Sequence, residues 1–260
     1  MRGRSFPPSP IKPGADAGFS LVELAVVVAV LGMLAVTAVS AFDNIGQARQ
    51  HNAARAHAES ARQALRTFAL RNKRLPCPDS SSQGDAGREA GGGVCGGGLN
   101  TGWLPYESLG LDMPVRAQRL RYGVYRGAGG TDLAAPLPEA VDLPDLEGIG
   151  GFTAALSRIA TAAPSTGQPH YLPGGTPDCT GATSGAAPLN PAFVLVAPVT
   201  GRDDDATIAA GFDGSAHRAF AAGTGTCVAP PDYPGDARYD DVVVAESPTT
   251  LLGWLMTVTR

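Results

Sequence analysis

Phe19 to Phe42 reads FSLVELAVVVAVLGMLAVTAVSAF, an apolar run of 24 residues whose single charge is Glu23. It clears the ~20 apolar residues that a helix needs to cross a ~30 Å hydrocarbon core, so residues 19–42 are expected to form a transmembrane helix half. Before it lies a polar, Pro-rich leader, residues 1–18, with Arg2, Arg4 and Lys12. A secretory signal peptide would share that charged start and could end at Val39-Ser40-Ala41. Its apolar core, however, would be only about 7–15 residues long and would not hold a carboxylate. A plain anchor leaves Glu23 unexplained as well, because an ionised group in hydrocarbon needs a partner. Charge does not orient the span. Three bases precede it and three follow closely (Arg49, Arg55, Arg62), so the positive-inside rule ties.

Working outward, the charge of −4 is unevenly spread over the 260 residues. Residues 1–18 carry +2, residues 19–74 carry +4 and residues 75–260 carry −10. That is a basic stem on an acidic body, and it argues against a nucleic-acid partner, which would need clustered Lys and Arg. Residues 43–74 form the stem. Asp43 to Asn72 holds no Pro and is rich in Ala, Arg and Gln, all good helix formers. Ala54, Ala58, Ala61, Leu65 and Phe68 fall on one helical stripe, with Arg55, Arg62 and Arg66 off it. A helix unbroken from Phe19 to Asn72 would be roughly 81 Å long. The stripe suits packing against the protein's own body, or else a seam for a partner helix. Pro76 and Pro78 stop the pattern.

The body, residues 75–260, shows short strand-like runs between Gly- and Pro-rich loops. Leu120–Tyr125, Ala192–Val199, Ala216–Ala221 and Asp241–Ala245 read as strands. Ile149–Ala163 reads as an inserted helix, with Phe152, Leu156 and Ile159 on one side. Thr250–Val258 fits a helix or a strand. The expected class is α+β, a long amino-terminal helix on a small antiparallel sheet with a loop-rich insertion.

Gly18-Phe19-Ser20-Leu21-Val22-Glu23-Leu24 resembles the prepilin processing signal of type IV pilins and type II secretion pseudopilins. The resemblance implies that a prepilin peptidase cuts between Gly18 and Phe19 and methylates the new amine. It also implies that Glu23, fifth in the mature chain, pairs with the amine of a neighbouring subunit during assembly. Such a pair lowers the cost of burying each charge. Ser20 stands where Thr is commoner. Further pieces resemble minor pilin-like proteins: Leu75-Pro76-Cys77-Pro78-Asp79, Cys95, Gly102-Trp103-Leu104-Pro105, Leu109-Gly110-Leu111 and Tyr239-Asp240-Asp241-Val242-Val243-Val244. Together these imply a pilin-like fold and a structural subunit, a minor pilin or pseudopilin, single-pass in the bacterial inner membrane with a periplasmic body. Its partners would be the peptidase, other pilins or pseudopilins, the inner-membrane assembly machinery and the lipid bilayer. Thr131 to Asn190 matches no part of that pattern.

Four cysteines all lie in the body. The expected pairs are Cys77–Cys95 across a Gly-rich loop and Cys179–Cys227 tying the insertion to the last strands, which suits an oxidising compartment. No CxxC pair occurs and the His residues are scattered, so zinc is not expected. Several major pseudopilins hold calcium, and the acidic runs make Asp203, Asp205, Asp240 and Asp241 candidate ligands; the competing reading is a solvated acidic face. No G-x-S-x-G elbow and no G-K-[ST] loop is present, so neither catalysis nor a cofactor is expected. The alternative function is a single-span membrane-anchored periplasmic enzyme or binding protein.

Overall fold

The computed structural model describes residues 20–135, 151–180, 187–200, 211–236 and 238–258, and of residues 36–44 the backbone alone. The leader, Gly18, Phe19, Asp203 and Asp205 lie outside the described residues. The chain divides into two compact units, Met1–Gln47 and Ala48–Arg260.

One long helix, α1 (Leu21–Asn72), begins in the first unit and ends in the second. The expected length of helix is therefore present, but the expected membrane crossing is not. Among the described residues no helix is long and apolar enough to cross a membrane. The transmembrane assignment of residues 19–42 is corrected accordingly.

α1 stops where local chemistry stops it. Lys73 takes a left-handed conformation (φ 52°) while its N–H donates to the Ala69 carbonyl, 2.9 Å. The Asn72 side chain covers the Phe68 carbonyl, and Pro76 follows two residues after Arg74. In the second unit the Ala stripe packs on the protein's own body. Ala58, Ala61 and Leu65 are fully buried, and Ala69 rather than Phe68 extends the line. Phe68 instead lies under the Arg74 guanidinium, 5.2 Å from its ring centre. Arg66, expected off the stripe, is buried too.

The sheet has four antiparallel strands in sequential order: β1 (Thr101–Trp103), β2 (Arg121–Val124), β3 (Phe193–Ala197) and β4 (Val242–Glu246). All five residues of β3 are buried. A strand covered on both faces reads as a continuous apolar run, as Phe193-Val194-Leu195-Val196-Ala197 does. Phe193, Leu195 and Ala197 face a core shared with α1, α3 (Phe152–Thr161) and α5 (Pro248–Val258). Val194 and Val196 face a second core with Trp103, Phe212 and Phe220. Phe220 belongs to α4 (Gly214–Ala222), and its ring sits so near β2 that a Cβ at Gly123 would come within 2.8 Å. A short helix, α2 (Tyr106–Leu109), joins β1 to β2.

Three strand expectations hold within a residue or two, and the inserted helix expected over Ile149–Ala163 is found as α3, starting three residues later and ending two earlier. Ala216–Ala221, expected as a strand, lies within α4. Its His217, Phe220 and Ala221 are buried at helical spacing, and Gly223 (φ 74°) closes the helix as a left-handed cap. Residues 250–258 resolve as helix, in α5.

Candidate functional site

At the start of α1, Ser20 and Glu23 satisfy one another. The Glu23 N–H donates to Ser20 Oγ, 3.1 Å, and the Ser20 N–H donates to Glu23 Oε2, 3.4 Å. This reciprocal pair is a capping box, which fills two of the donors that a helix start leaves open. The signal for it, Ser-x-x-Glu, stands in the sequence at Ser20-Leu21-Val22-Glu23, and the reading of Glu23 as a partner for an amine passed over it. Beyond the cap, every large apolar side chain described is open, from 45% exposed at Val27 to 86% at Leu21. At 100° per residue Val26, Val27, Val28, Val30, Leu31, Met33 and Leu34 cover most of the circumference, and Ala25, Ala29 and Gly32 fill the rest. A helix that is apolar on all sides needs cover on all sides, and among the described residues of this unit nothing supplies it.

The body is stapled as expected, by Cys77–Cys95 and Cys179–Cys227. Beside Cys179, the Asp178 carboxylate accepts from the Ser215 N–H (2.8 Å) and hydroxyl (2.7 Å). These bonds hold its pKa below the ordinary carboxylate value and cap α4 from the inserted segment. Asp213 stands at the cap position of α4 but makes no capping bond there.

Asp213 instead joins the acidic residues of the last loop. Asp213, Asp240 and Asp241 are buried, and each offers a carboxylate oxygen within 4.8 Å of the others. Asp240 and Asp241 are thus not a solvated face. The Asp240 N–H donates to Asp213 Oδ2 and the Asp213 N–H to Asp241 Oδ2, both 2.9 Å. Thr200 donates to Asp240 through its N–H (3.1 Å) and its hydroxyl. His217 Nδ1 lies 2.7 Å from Asp241 Oδ2, while its Nε2 accepts from the Ala229 N–H, 2.9 Å. Because Nε2 is an acceptor, the ring proton sits on Nδ1 and is donated to Asp241. Burial raises the Asp241 pKa, and the His217 hydrogen bond opposes that rise only in part. The oxygen set is of the kind hard cations take. Its backbone and side-chain donors give it a structural job already: the cluster ties the start of α4 to the lead-in of β4. Sequence reading found Asp240 and Asp241 but missed Asp213 and His217, whose only signal was Asp213-Gly214-Ser215 at a helix start.

The stem meets the sheet through charge as well. Arg66 Nη2 lies 2.8 Å from Glu246 Oε1 and 3.0 Å from Oε2, and Arg62 Nη1 is 3.4 Å from Oε2. Comparison of the chain with protein-family models, with curated proteins and with solved structures finds no match.

Proposed function

We propose that the chain is a structural subunit of a type IV pilus or type II secretion filament, of the minor-pilin or pseudopilin kind, and not an enzyme. One observation carries this reading: α1 starts with a helix apolar on every side, bearing one carboxylate at its amino end. Bundling with the like helices of other subunits would cover those side chains. The prepilin-like stretch Gly18 to Leu24 supports processing by a prepilin peptidase between Gly18 and Phe19, and assembly by inner-membrane machinery encoded elsewhere. The two disulfides support a body that folds in an oxidising compartment, the periplasm.

Glu23 has two jobs in this reading, and they separate by substitution. As a cap it bonds the Ser20 N–H, a role that Gln also fills. As an assembly contact it supplies charge to the amine of Phe19 on the adjacent subunit, which Gln cannot do. Glu23→Gln is therefore expected to lose its leader normally yet fail to crosslink to neighbouring pilins. Blotting for leader removal beside in-cell crosslinking reads both. Wild-type crosslinking by the Gln variant would reduce Glu23 to a cap and remove the assembly contact.

A further inference from the structure

Among the described residues β4 ends the sheet and pairs with β3 alone. A strand with one neighbour turns about half of its N–H and C=O groups to the open side. Its successive side chains point to opposite faces. Val242 and Val244 accordingly enter the core under α1, while Val243 enters the core shared with α4. Yet one open cavity of about 500 Å³ is bordered by every residue from Asp241 to Ala245. A space that touches successive residues of a strand, whichever face they point to, lies along the strand's edge. The cavity is therefore a groove beside the backbone of β4.

Its two walls differ in charge. α1 forms one of them through His51, Arg55, Glu59 and Arg62. At about 1.5 Å a residue this stretch of helix covers about 16 Å, as does the strand from Asp241 to Glu246 at about 3.3 Å a residue. Glu59 is taken up by Arg62, 2.7 Å away, and Arg62 also reaches Glu246 at 3.4 Å. Arg55 is exposed and His51 half-buried, so this wall offers the groove a guanidinium and an imidazole. The other wall is the Pro230–Gly235 loop, whose one charge is Asp232. Pro230, Pro231 and Pro234 stiffen it, and the Tyr233 N–H donates to the Pro230 carbonyl, 3.0 Å. The Tyr233 ring meets Tyr239 edge-on, with 5.5 Å between centres. Val242 to Ala245 carries none of the Lys, Pro or bulge that ordinarily blunt an open edge.

We propose that this groove takes up an extended segment of another protein as an added strand beside β4, with acidic side chains on the face turned to α1. Main-chain hydrogen bonds to β4 supply the affinity, and alternate side chains supply the choice of partner. Those turned to α1 meet Arg55 and His51 and are Asp or Glu. Those on the other face meet Tyr233 and the prolines and are apolar. A groove walled by a helix and a proline-stiffened turn needs little reordering when it is filled. Every residue of it belongs to the second unit, so the site stands whether or not the chain joins a filament.

The probe is an end-blocked, fluorescently labelled peptide, Val-Asp-Val-Asp-Val-Asp-Val, added to the full chain in a non-ionic detergent and followed by anisotropy. It is expected to bind saturably, and a peptide with Lys at each Asp position about tenfold more weakly. Two further peptides carry N-methyl groups, one on the Val nitrogens and the other on the Asp nitrogens. Only one of these two sets faces β4 in a strand pair, so one peptide is expected to lose binding and the other to keep it. Arg55→Glu changes an exposed helix position and is expected to weaken the acidic peptide about tenfold by turning attraction into repulsion. Hydrogen exchange of the β4 amides should slow when the peptide saturates. No saturable binding, equal binding of the Lys peptide, the same response to both methylated peptides, undiminished binding by Arg55→Glu, or unchanged β4 exchange would each overturn the proposal.

Discussion

Removing Arg66 alone should destabilise the body more than removing Arg66 and Glu246 together. Glu246 is 1% exposed and its carboxylate faces Arg66 at 2.8 Å, with Arg62 standing off at 3.4 Å. Arg66 is 9% exposed and also lies over the Trp254 ring, 5.7 Å from its centre. Breaking a buried ion pair strands the remaining charge, which costs about 3–5 kcal/mol. Because Arg62 partly screens Glu246 once Arg66 is gone, Arg66→Met belongs at the low end, about 3 kcal/mol. Glu246→Leu strands Arg66 instead and costs about the same. The double variant leaves no stranded charge between stem and strand, and fills the space with apolar groups. It is expected to cost no more than either single change, a coupling of about 3 kcal/mol. At about 2–4 °C per kcal/mol for a body of this size, each single variant should melt about 6–12 °C below the wild type. The assay is thermal unfolding of the full chain under non-reducing conditions, followed by circular dichroism, with urea unfolding for the free energies. A double variant that loses the sum of the two single losses would refute the reasoning, because it would mean that the two charges do not stabilise each other.

Three further outcomes are expected. Converting Cys179 and Cys227 to Ser should cost about 4 kcal/mol and converting Cys77 and Cys95 about 3, since the loops closed span 48 and 18 positions; urea unfolding of the two variants reads the order. Asp241 binds its proton more tightly folded than unfolded, so its contribution to stability is full below the unfolded value of 3.8 and is lost as pH rises through the raised folded value. Asp241→Asn should remove that loss, and the gap between variant and wild-type unfolding free energies should widen in the variant's favour from acid to neutral pH. Gly84→Ala puts a Cβ into Trp103 at a residue with φ of 64°, and should cost about 1–3 kcal/mol in the same unfolding assay.

Much of the frame was legible because single strong signals dictate it. Phe193-Val194-Leu195-Val196-Ala197 can only be a buried strand or a short buried helix, and its β-branched residues between turn residues favour the strand. The Ala58, Ala61 and Leu65 stripe announced the packing of the stem. Both disulfides followed from which cysteines border a loop. What failed did so where local pattern competes with position in the fold. Ala216-His217-Arg218-Ala219-Phe220-Ala221 alternates enough to pass as a strand, yet its Ala content and the closing Gly223 favour helix, and helix wins because it buries His217 and Phe220 together. The acidic loop showed its charge but not its burial, because His217 and Asp213 reach it only through the fold. Arg66 read only as a base off the packed stripe, since its partner lies far along the chain, at Glu246. At the helix start, apolar length outweighed the Ser20–Glu23 capping signal, and the membrane crossing drawn from that length did not stand.

The sequential order of the sheet bears on how such a chain can change over time. Each strand pairs with the strand before it, although the chain wanders far between Val124 and Phe193 and again between Ala197 and Val242. Both excursions leave and return at neighbouring positions in the sheet, so neither their length nor their content enters the strand register. Doubling the length of such a loop costs only about 0.6 kcal/mol in closure entropy. Apart from α3 and α4, whose buried side chains belong to the two cores, these excursions are thus free to be lengthened or exchanged by mutation while the cores stay fixed, and related chains built on this frame should differ most between β2 and β4.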